Sequence, residues 1–352
     1  MAAKRINLAL QGGGAHGAFA WGVLDRLLDE PRIEIAAISG TSAGALNGAA
    51  LAAGLACGPG RHGREAARQN LAHIWSEIGM VSDNLMVRWL HSMFPAPRGW
   101  QRLTELLSPV GWLESLSRVF SPYDTGPFYS NPLSAILREM PHPQLGRPGG
   151  PAFFVTATNV RSGQIRIFSD GEVTVDTILA SACLPELFRA VEIDDPKTGR
   201  REAFWDGGYS GNPALFPLFH PELPRDIVIV NINPMHSENI PKTPSAIQDR
   251  VNEISFNASL LAELRAINFV KRLHAENRLG GRPMKNVLLH AIKDDDLMNS
   301  LGAGSKLMPP PGLLARMHAA GVAAAEGFLE SCTDHLGARD TYDPSGLLHA
   351  AH

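Results

Sequence analysis

Three short clusters of glycine with serine or aspartate constrain this chain more than any other feature of its sequence. They are Gly12-Gly13-Gly14-Ala15-His16-Gly17, Gly40-Thr41-Ser42-Ala43-Gly44 and Asp206-Gly207-Gly208. The first two each follow a short apolar run and precede a helical pattern, and the third also follows an apolar run. Glycine-rich loops at the ends of buried strands are typical of an α/β fold whose site lies at the carboxyl edge of a parallel sheet.

The periodicity around the first two clusters predicts a strand, helix, strand, helix unit. Residues 6–10 and 33–38 are predicted as buried strands, and residues 18–28 and about 43–54 as helices. Such a unit forms a right-handed parallel crossover with both loops at one edge of the sheet. We therefore predict the α/β class, as a three-layer α/β/α sandwich with a central, mostly parallel sheet.

The rest of the chain continues the alternation of strands and helices. Strands are predicted at 153–159, 164–168, 202–205, 226–231 and 287–291, and helices at 175–184, 245–279 and 313–329. Residues 60–150 follow a looser, proline-rich pattern, which predicts an insertion or lid. We expect one domain over residues 1–332 and a mobile tail over residues 333–352.

Composition limits the partners and the compartment. The net charge of −3 gives no general attraction to nucleic acid, so no nucleic-acid partner is expected. Three widely spaced cysteines, Cys57, Cys183 and Cys332, favour reduced thiols in a reducing compartment. The apolar run after Lys4 and Arg5 is too short for an export signal. We expect a soluble, cytoplasmic protein that can contact membrane surfaces peripherally.

Ser42 stands where a nucleophilic serine would be displayed. The pattern Gly40-x-Ser42-x-Gly44 lies between a predicted strand and a predicted helix, which is the setting of a nucleophile elbow. At the amino end of the helix, the dipole would favour a developing negative charge. A serine cap in an ordinary glycine turn has the same pattern, so both interpretations stay open on these five residues.

The first glycine cluster has two interpretations. Gly12-x-Gly14-x-x-Gly17 matches the dinucleotide fingerprint, but the next strand carries its acidic residue, Glu34, at the wrong end. The alternative is an oxyanion hole formed by the backbone amides of Gly12, Gly13 and Gly14. We favour the oxyanion hole and keep cofactor binding as the alternative.

A nucleophilic serine needs a base, and Asp206 is the best-placed candidate. The chain offers several histidines before residue 100, namely His16, His62, His73 and His91. None of them stands in a tight turn at a strand end, whereas Asp206 does, followed by Gly207 and Gly208. Burial beside Phe204 and Trp205 would raise its pKa and make it a better base. The alternative is a plain Asp-Gly turn.

The three clusters in this order resemble the patatin-like phospholipases, and so does the stretch Ala180-Ser181-x-x-x-Pro185-x-x-Phe188. The resemblance covers about residues 6–230. It implies a carboxylic ester hydrolase acting on phospholipids or other acyl lipids, with Ser42 as nucleophile, Asp206 as proton acceptor and the glycine amides as oxyanion hole. It implies no cofactor. The Asp294-Asp295-Asp296 run lacks the spacing of a calcium loop, so no metal is expected.

His16 departs from the family pattern, which usually has arginine or lysine in the glycine loop. The imidazole is either cationic near neutral pH or neutral and packed. If activity depends on its charge, activity should fall as the pH rises through neutrality. Both states stay open at this point.

Tryptophans crowd the region after the first two helices. Trp75, Trp89, Trp100 and Trp112 form either a lipid-seeking lid or a secondary core. The nearby Arg88, Arg98 and Arg102 either meet phosphate headgroups or are simply solvated. Two other functions also stay in view. One is a non-catalytic lipid-binding or regulatory module, and the other is a dinucleotide-dependent oxidoreductase.

Overall fold

The computed structural model describes residues 3–82, 121–123, 129, 131–146, 148–237, 240–280, 284–301, 304–307, 309 and 312–348. Within these residues, helices cover both faces of a sheet of eight strands. The strands are β1 (Lys4–Leu10), β2 (Ile33–Thr41), β3 (Ala152–Asn159), β4 (Ile165–Ser169), β5 (Val191–Asp195), β6 (Arg200–Asp206), β7 (Asp226–Val230) and β8 (Leu288–Ile292). The helices are α1 (Gly17–Leu28), α2 (Ala43–Leu55), α3 (Arg61–Ser82), α4 (Pro132–Arg138), α5 (Val175–Ser181), α6 (Pro244–Ala275), α7 (Asp295–Ser300), α8 (Gly304–Leu307), α9 (Leu313–Cys332) and α10 (Ser345–Leu348).

The sheet is mixed and mostly parallel. Its strand order is β5-β6-β3-β2-β1-β7-β8, with β4 also paired to β3. The pairs β3–β2, β2–β1, β1–β7 and β7–β8 are parallel, whereas β6 runs antiparallel to both β3 and β5. The predicted α/β/α class is confirmed. Strand β6 ends at Asp206, next to the carboxyl end of β3, and β2 ends at the same edge of the sheet.

Side-chain alternation along β1 explains how one short strand joins both halves of the core. Ile6, Leu8 and Leu10 lie in the larger apolar cluster, which includes buried residues of α1 and α2. Ala9 lies in the other cluster, with Leu260 and other buried residues of α6. Because successive side chains of a strand point to opposite faces, a strand with helices on both sides carries apolar residues on both of its faces.

Part of the predicted insertion belongs to the main core. Helix α3 packs on α2 so closely that a Cβ on Gly54 would lie 2.2 Å from the backbone nitrogen of Ala67. Trp75 on α3 is buried, stacks on Trp21 and donates its indole N–H to Asn47 Oδ1 at 2.9 Å. The suggestion that Trp75 belongs to a lid is therefore wrong.

The structure does not test the other residues of the suggested lid. Trp89, Trp100, Trp112 and arginines 88, 98 and 102 lie outside the described residues. Helix α4 contributes the buried side chains of Ile136 and Leu137 to the core, so it too is part of the main packing.

Residues after α9 contact the edge of the sheet, although the sequence shows no pattern there. Lys4 Nζ donates to the carbonyl of Thr333 at 2.8 Å, and the amide of Tyr342 donates to the carbonyl of Leu289 at 3.0 Å. The amide of Leu289 donates in turn to Asp340 Oδ1 at 2.7 Å. These contacts tie residues 333–342 to β1 and β8. None of the helices among the described residues is both long and apolar enough to span a bilayer.

Candidate active site

Ser42 occupies a strained turn between β2 and α2. Its backbone angles are φ 54° and ψ −121°, a conformation that side-chain-bearing residues rarely adopt. The Ser42 amide donates to Ser181 Oγ at 2.9 Å, and its carbonyl accepts the amides of Ala45 and Leu46 at the start of α2. A Cβ on Gly44 would lie 2.1 Å from the carbonyl oxygen of Leu10, so only glycine allows α2 to approach β1 this closely.

Asp206 reaches the same place from β6. It pairs with Ala157 of β3, its amide donates to the carbonyl of Cys183 at 2.8 Å, and its carbonyl accepts Thr158 Oγ1 at 2.8 Å. After Asp206 the chain turns back towards β2, where Thr41 Oγ1 donates to the carbonyl of Gly211 at 2.7 Å. These contacts hold the end of β6 beside the Ser42 turn.

The Asp206 carboxyl group is buried and only partly satisfied. Oδ1 accepts the amide of Gly208 at 2.7 Å, and Oδ2 has no hydrogen-bond partner among the described residues. Burial raises the pKa of Asp206 to about 7, whereas the Ser42 hydroxyl and the Gly208 amide oppose the rise. The Ser42 hydroxyl is therefore close enough to stabilise the carboxylate, but no hydrogen bond of ordinary geometry joins the two groups. Near neutral pH this carboxyl group can both accept and return a proton.

The glycine loop lies directly against Ser42. A Cβ on Gly12 would lie 2.6 Å from Ser42 Cβ, so a side chain at this position would collide with the serine. The Gly12 amide donates to Asn212 Oδ1 at 2.6 Å and is not free to bind another acceptor. Among the described residues, no hydrogen bond uses the amides of Gly13 and Gly14. These two amides are the donors of the predicted oxyanion hole that remain available.

His16 carries no charge near neutral pH. Burial and, to a smaller extent, the nearby positive charge of Lys306 together lower the pKa of His16 to about 3. Its Nε2 is hydrogen-bonded to Ser305 Oγ at 2.8 Å, and the side chain is 2% exposed. The cationic alternative for His16 is therefore wrong. His16 therefore gives no reason to expect activity to fall as the pH rises through neutrality.

The dinucleotide alternative finds no support at the ribose position. Glu34 pairs with Arg5 at 3.1 Å near the start of β2, far along the strand from the Ser42 turn. In the described part of the chain, no group of three or more His, Cys, Asp or Glu side chains is placed to hold a metal ion. Asp294 caps α7 by accepting the amide of Leu297 at 2.9 Å.

Several residues that shape the site have no obvious signal in the sequence. Ser181, Asn212 and Asn233 all bond to the backbone of the elbow or of the glycine loop. Ser181 lies in the stretch that carries the family resemblance, and Asn212 precedes a proline six residues after Asp206. Asn233 follows β7 in a loop without any pattern, so only the three-dimensional structure brings it to the site.

Comparison with known proteins identifies the family of this chain. The family model for patatin-like phospholipases matches residues 8–219, more than half of the chain. No curated protein sequence matches significantly. VipD from Legionella pneumophila is a solved structure with 16% sequence identity and a TM-score of 0.41, over 93% of this chain and 67% of that one.

A second solved structure, the ExoU–SpcU complex from Pseudomonas aeruginosa, has 18% identity and a TM-score of 0.29, over 96% of this chain and 61% of that one. This chain thus spans roughly two thirds of the length of the two solved chains. The family match includes the glycine loop, the Ser42 turn and Asp206. The chain belongs to the patatin-like phospholipase family.

Proposed function

We propose that this protein hydrolyses carboxylic ester bonds of phospholipids or other acyl lipids, with Ser42 as nucleophile and Asp206 as its base. Membership of a phospholipase family supports lipid acyl hydrolysis as the class of reaction. The observation that carries the Ser-Asp assignment is the strained Ser42 turn beside a buried carboxyl group whose pKa is raised to about 7. Hydrogen bonds between catalytic groups are often poorly aligned before substrate binds, so the geometry is compatible with this role.

In the first step, Asp206 accepts the Ser42 proton as Oγ attacks the ester carbonyl carbon. Negative charge then collects on the carbonyl oxygen, which the amides of Gly13 and Gly14 and the amino end of α2 stabilise. Collapse of this intermediate expels the alcohol oxygen, which takes the proton from Asp206. The product is an ester between the acyl group and Ser42 Oγ.

The second step reverses the proton transfers with water as nucleophile. Water attacks the acyl-Ser42 carbonyl carbon and gives a proton to Asp206. Collapse of the second intermediate releases the free acid and returns that proton to Ser42 Oγ. A carboxyl group with a pKa near 7 suits both directions of transfer, because neither protonation state is strongly disfavoured at neutral pH.

The walls around the carboxylate suit an apolar acyl chain. A Cβ on Gly208 would lie 2.9 Å from the Phe256 ring, and that ring packs edge-to-face on Tyr209 at 5.2 Å. Phe256 lies on α6, close to the turn that carries Asp206. We propose that apolar side chains of this helix contribute to binding of the acyl group.

Labelling with a fluorophosphonate, which reacts covalently with activated serines, tests this proposal. The wild-type protein should be labelled and should hydrolyse aryl esters and phospholipid, and Ser42→Ala should abolish both properties. Ser76→Ala is the matched control, because Ser76 is an exposed serine on α3 whose loss should change nothing. Labelling that persists in Ser42→Ala would contradict the assignment. A folded wild-type protein that is neither labelled nor active would favour a lipid-binding module.

A further inference from the structure

The backbone around Gly12 is held by two asparagine side chains. Asn212 binds it on both sides, since Oδ1 accepts the Gly12 amide at 2.6 Å and Nδ2 donates to the Gly12 carbonyl at 3.3 Å. Asn233 Nδ2 donates to the same carbonyl at 2.6 Å. Both asparagines are buried, with at most 1% of their surface exposed.

These two asparagines are themselves fixed by a second set of contacts. Asn233 Oδ1 accepts Lys306 Nζ at 3.0 Å, and the Asn233 amide donates to Gln11 Oε1 at 3.0 Å. The Asn212 amide donates to Ser259 Oγ at 3.1 Å. Buried polar groups with this many partners have little freedom to rotate.

Among the described residues, the Gly12 carbonyl is not held by backbone hydrogen bonds to a neighbouring strand. The paired residues of β1 end at Leu10, and the amide of Gln11 makes the last backbone bond to β7, at 3.3 Å to the carbonyl of Val230. Beyond that point, in the part of the chain that the structure describes, the Gly12 carbonyl accepts hydrogen bonds only from Asn212 and Asn233. The direction of this carbonyl therefore depends on two side chains.

The direction of the Gly12 carbonyl sets the direction of the Gly13 amide. The two groups belong to one planar trans peptide, so the N–H points opposite to the C=O. Resting on the proposed function, we propose that Asn233 and Asn212 are positioning residues that aim the Gly13 amide at the substrate oxyanion. Asn233 carries the larger share, because its bond to the Gly12 carbonyl is the shorter of the two.

Asn233→Asp tests this inference with almost no change of shape. The retained Oδ1 still accepts Lys306 Nζ, but the new carboxylate oxygen replaces the Nδ2 donor that faces the Gly12 carbonyl, and repulsion between the two oxygens would turn the peptide. We expect kcat for an aryl ester to fall at least about tenfold, and at most by the about 10²–10³-fold that loss of one oxyanion donor costs. KM and the pH midpoint of the reaction should stay as in the wild type. The rate of fluorophosphonate labelling should fall in parallel with kcat, because the phosphoryl oxygen needs the same donors.

Asn212→Asp and Asn70→Asp complete the design. Asn212→Asp keeps the acceptor for the Gly12 amide and loses only the longer bond to the carbonyl, so its kcat should fall less than that of Asn233→Asp. Asn70 is an equally buried asparagine that bonds backbone groups of α2 and of residue 142, away from the site. Asn70→Asp should lower the melting temperature and leave kcat per folded molecule unchanged.

The outcomes separate this inference from the proposed function. A folded Asn233→Asp protein whose kcat stays within about twofold of wild type would overturn the positioning role, while labelling of wild-type Ser42 would still support the hydrolase. Should Asn233→Asp not fold, Lys306→Met removes the outer support of Asn233 from a partly exposed side chain, and kcat must then fall with KM unchanged. If the folded wild-type protein is not labelled at all, the result would instead contradict the proposed function.

Discussion

Two buried aspartates lie towards opposite edges of the sheet, Asp206 at the end of β6 and Asp226 at the start of β7. Asp226 Oδ1 is hydrogen-bonded to His290 Nε2 at 3.0 Å and accepts the Gly337 amide at 2.7 Å. His290 Nδ1 is hydrogen-bonded in turn to Thr341 Oγ1 at 2.8 Å. Hydroxyl, imidazole and carboxylate thus follow one another as they would in a hydrolase triad.

The two clusters differ in what is left unsatisfied. His290 is fully buried and both of its ring nitrogens are hydrogen-bonded, so the Asp226 cluster ties the chain after α9 to the sheet. Asp206 has an oxygen without a partner, and its neighbour Ser42 has strained backbone angles. Residue types alone would favour the Asp226 cluster as the active site. Strain and unfilled hydrogen-bonding capacity instead support the proposed site at Ser42 and Asp206.

The largest expected difference between the two clusters is catalytic. Asp206→Asn removes the proposed base, so kcat should fall by about 10⁴-fold or more. Asp226→Asn should change kcat per folded molecule by less than about threefold, because its cluster does not touch the site. Steady-state kinetics on folded protein measure both. Similar losses in the two variants would show that the comparison is mistaken.

The next difference concerns stability and its dependence on pH. The pKa of Asp206 is raised to about 7 in the folded protein, so folding becomes less favourable as the pH rises from about 4 to 7, where the unfolded chain is already ionised. Asp206→Asn removes this cost and should stabilise the protein at pH 8 by roughly 2–4 kcal/mol, with the gain vanishing near pH 4. Urea unfolding at both pH values measures it. A variant that is less stable than wild type at pH 8 would contradict the burial cost.

The smallest expected effect belongs to the Asp226 cluster. Thr341→Val keeps the shape of the side chain and leaves His290 Nδ1 without its partner, which should cost about 1–3 kcal/mol of stability. Thermal and urea unfolding measure the loss, and ester hydrolysis at a temperature where the variant is folded should match wild type. A loss of turnover without a loss of stability would assign this cluster a catalytic role.

The sequence predicts the strands and helices around the site well, because their signals are local. Apolar runs followed by glycine indicate β1, β2 and the turns after them, and the pair of glycines after Asp206 marks the end of β6. The contacts that shape the site are not local. Gly12 is hydrogen-bonded to Asn212 and Asn233, which follow it in the chain by 200 and 221 positions. No sequence pattern near either asparagine indicates these contacts.

Helix α3 shows a second reason why sequence reasoning fails. The sequence predicts an insertion or lid from residue 60 onwards, yet Arg64 donates to the carbonyls of Leu27, Leu28, Glu30 and Ile33 and so satisfies the end of α1 and the start of β2. The sequence does not distinguish an arginine that donates to buried carbonyls from one that faces water. Nor does the sequence show that Trp75, on the same helix, is buried in the main core.

The pH dependence of fluorophosphonate labelling tests the Ser42–Asp206 pair most directly. Asp206 must be ionised to accept the Ser42 proton, so the labelling rate should rise with pH as a single ionisation with a midpoint near 7, and be about 100-fold lower at pH 5 than on the plateau. In Asp206→Asn this rise should disappear together with most of the labelling. A rate that is flat or falls between pH 5 and 8, in protein shown to be folded, would contradict Asp206 as the base.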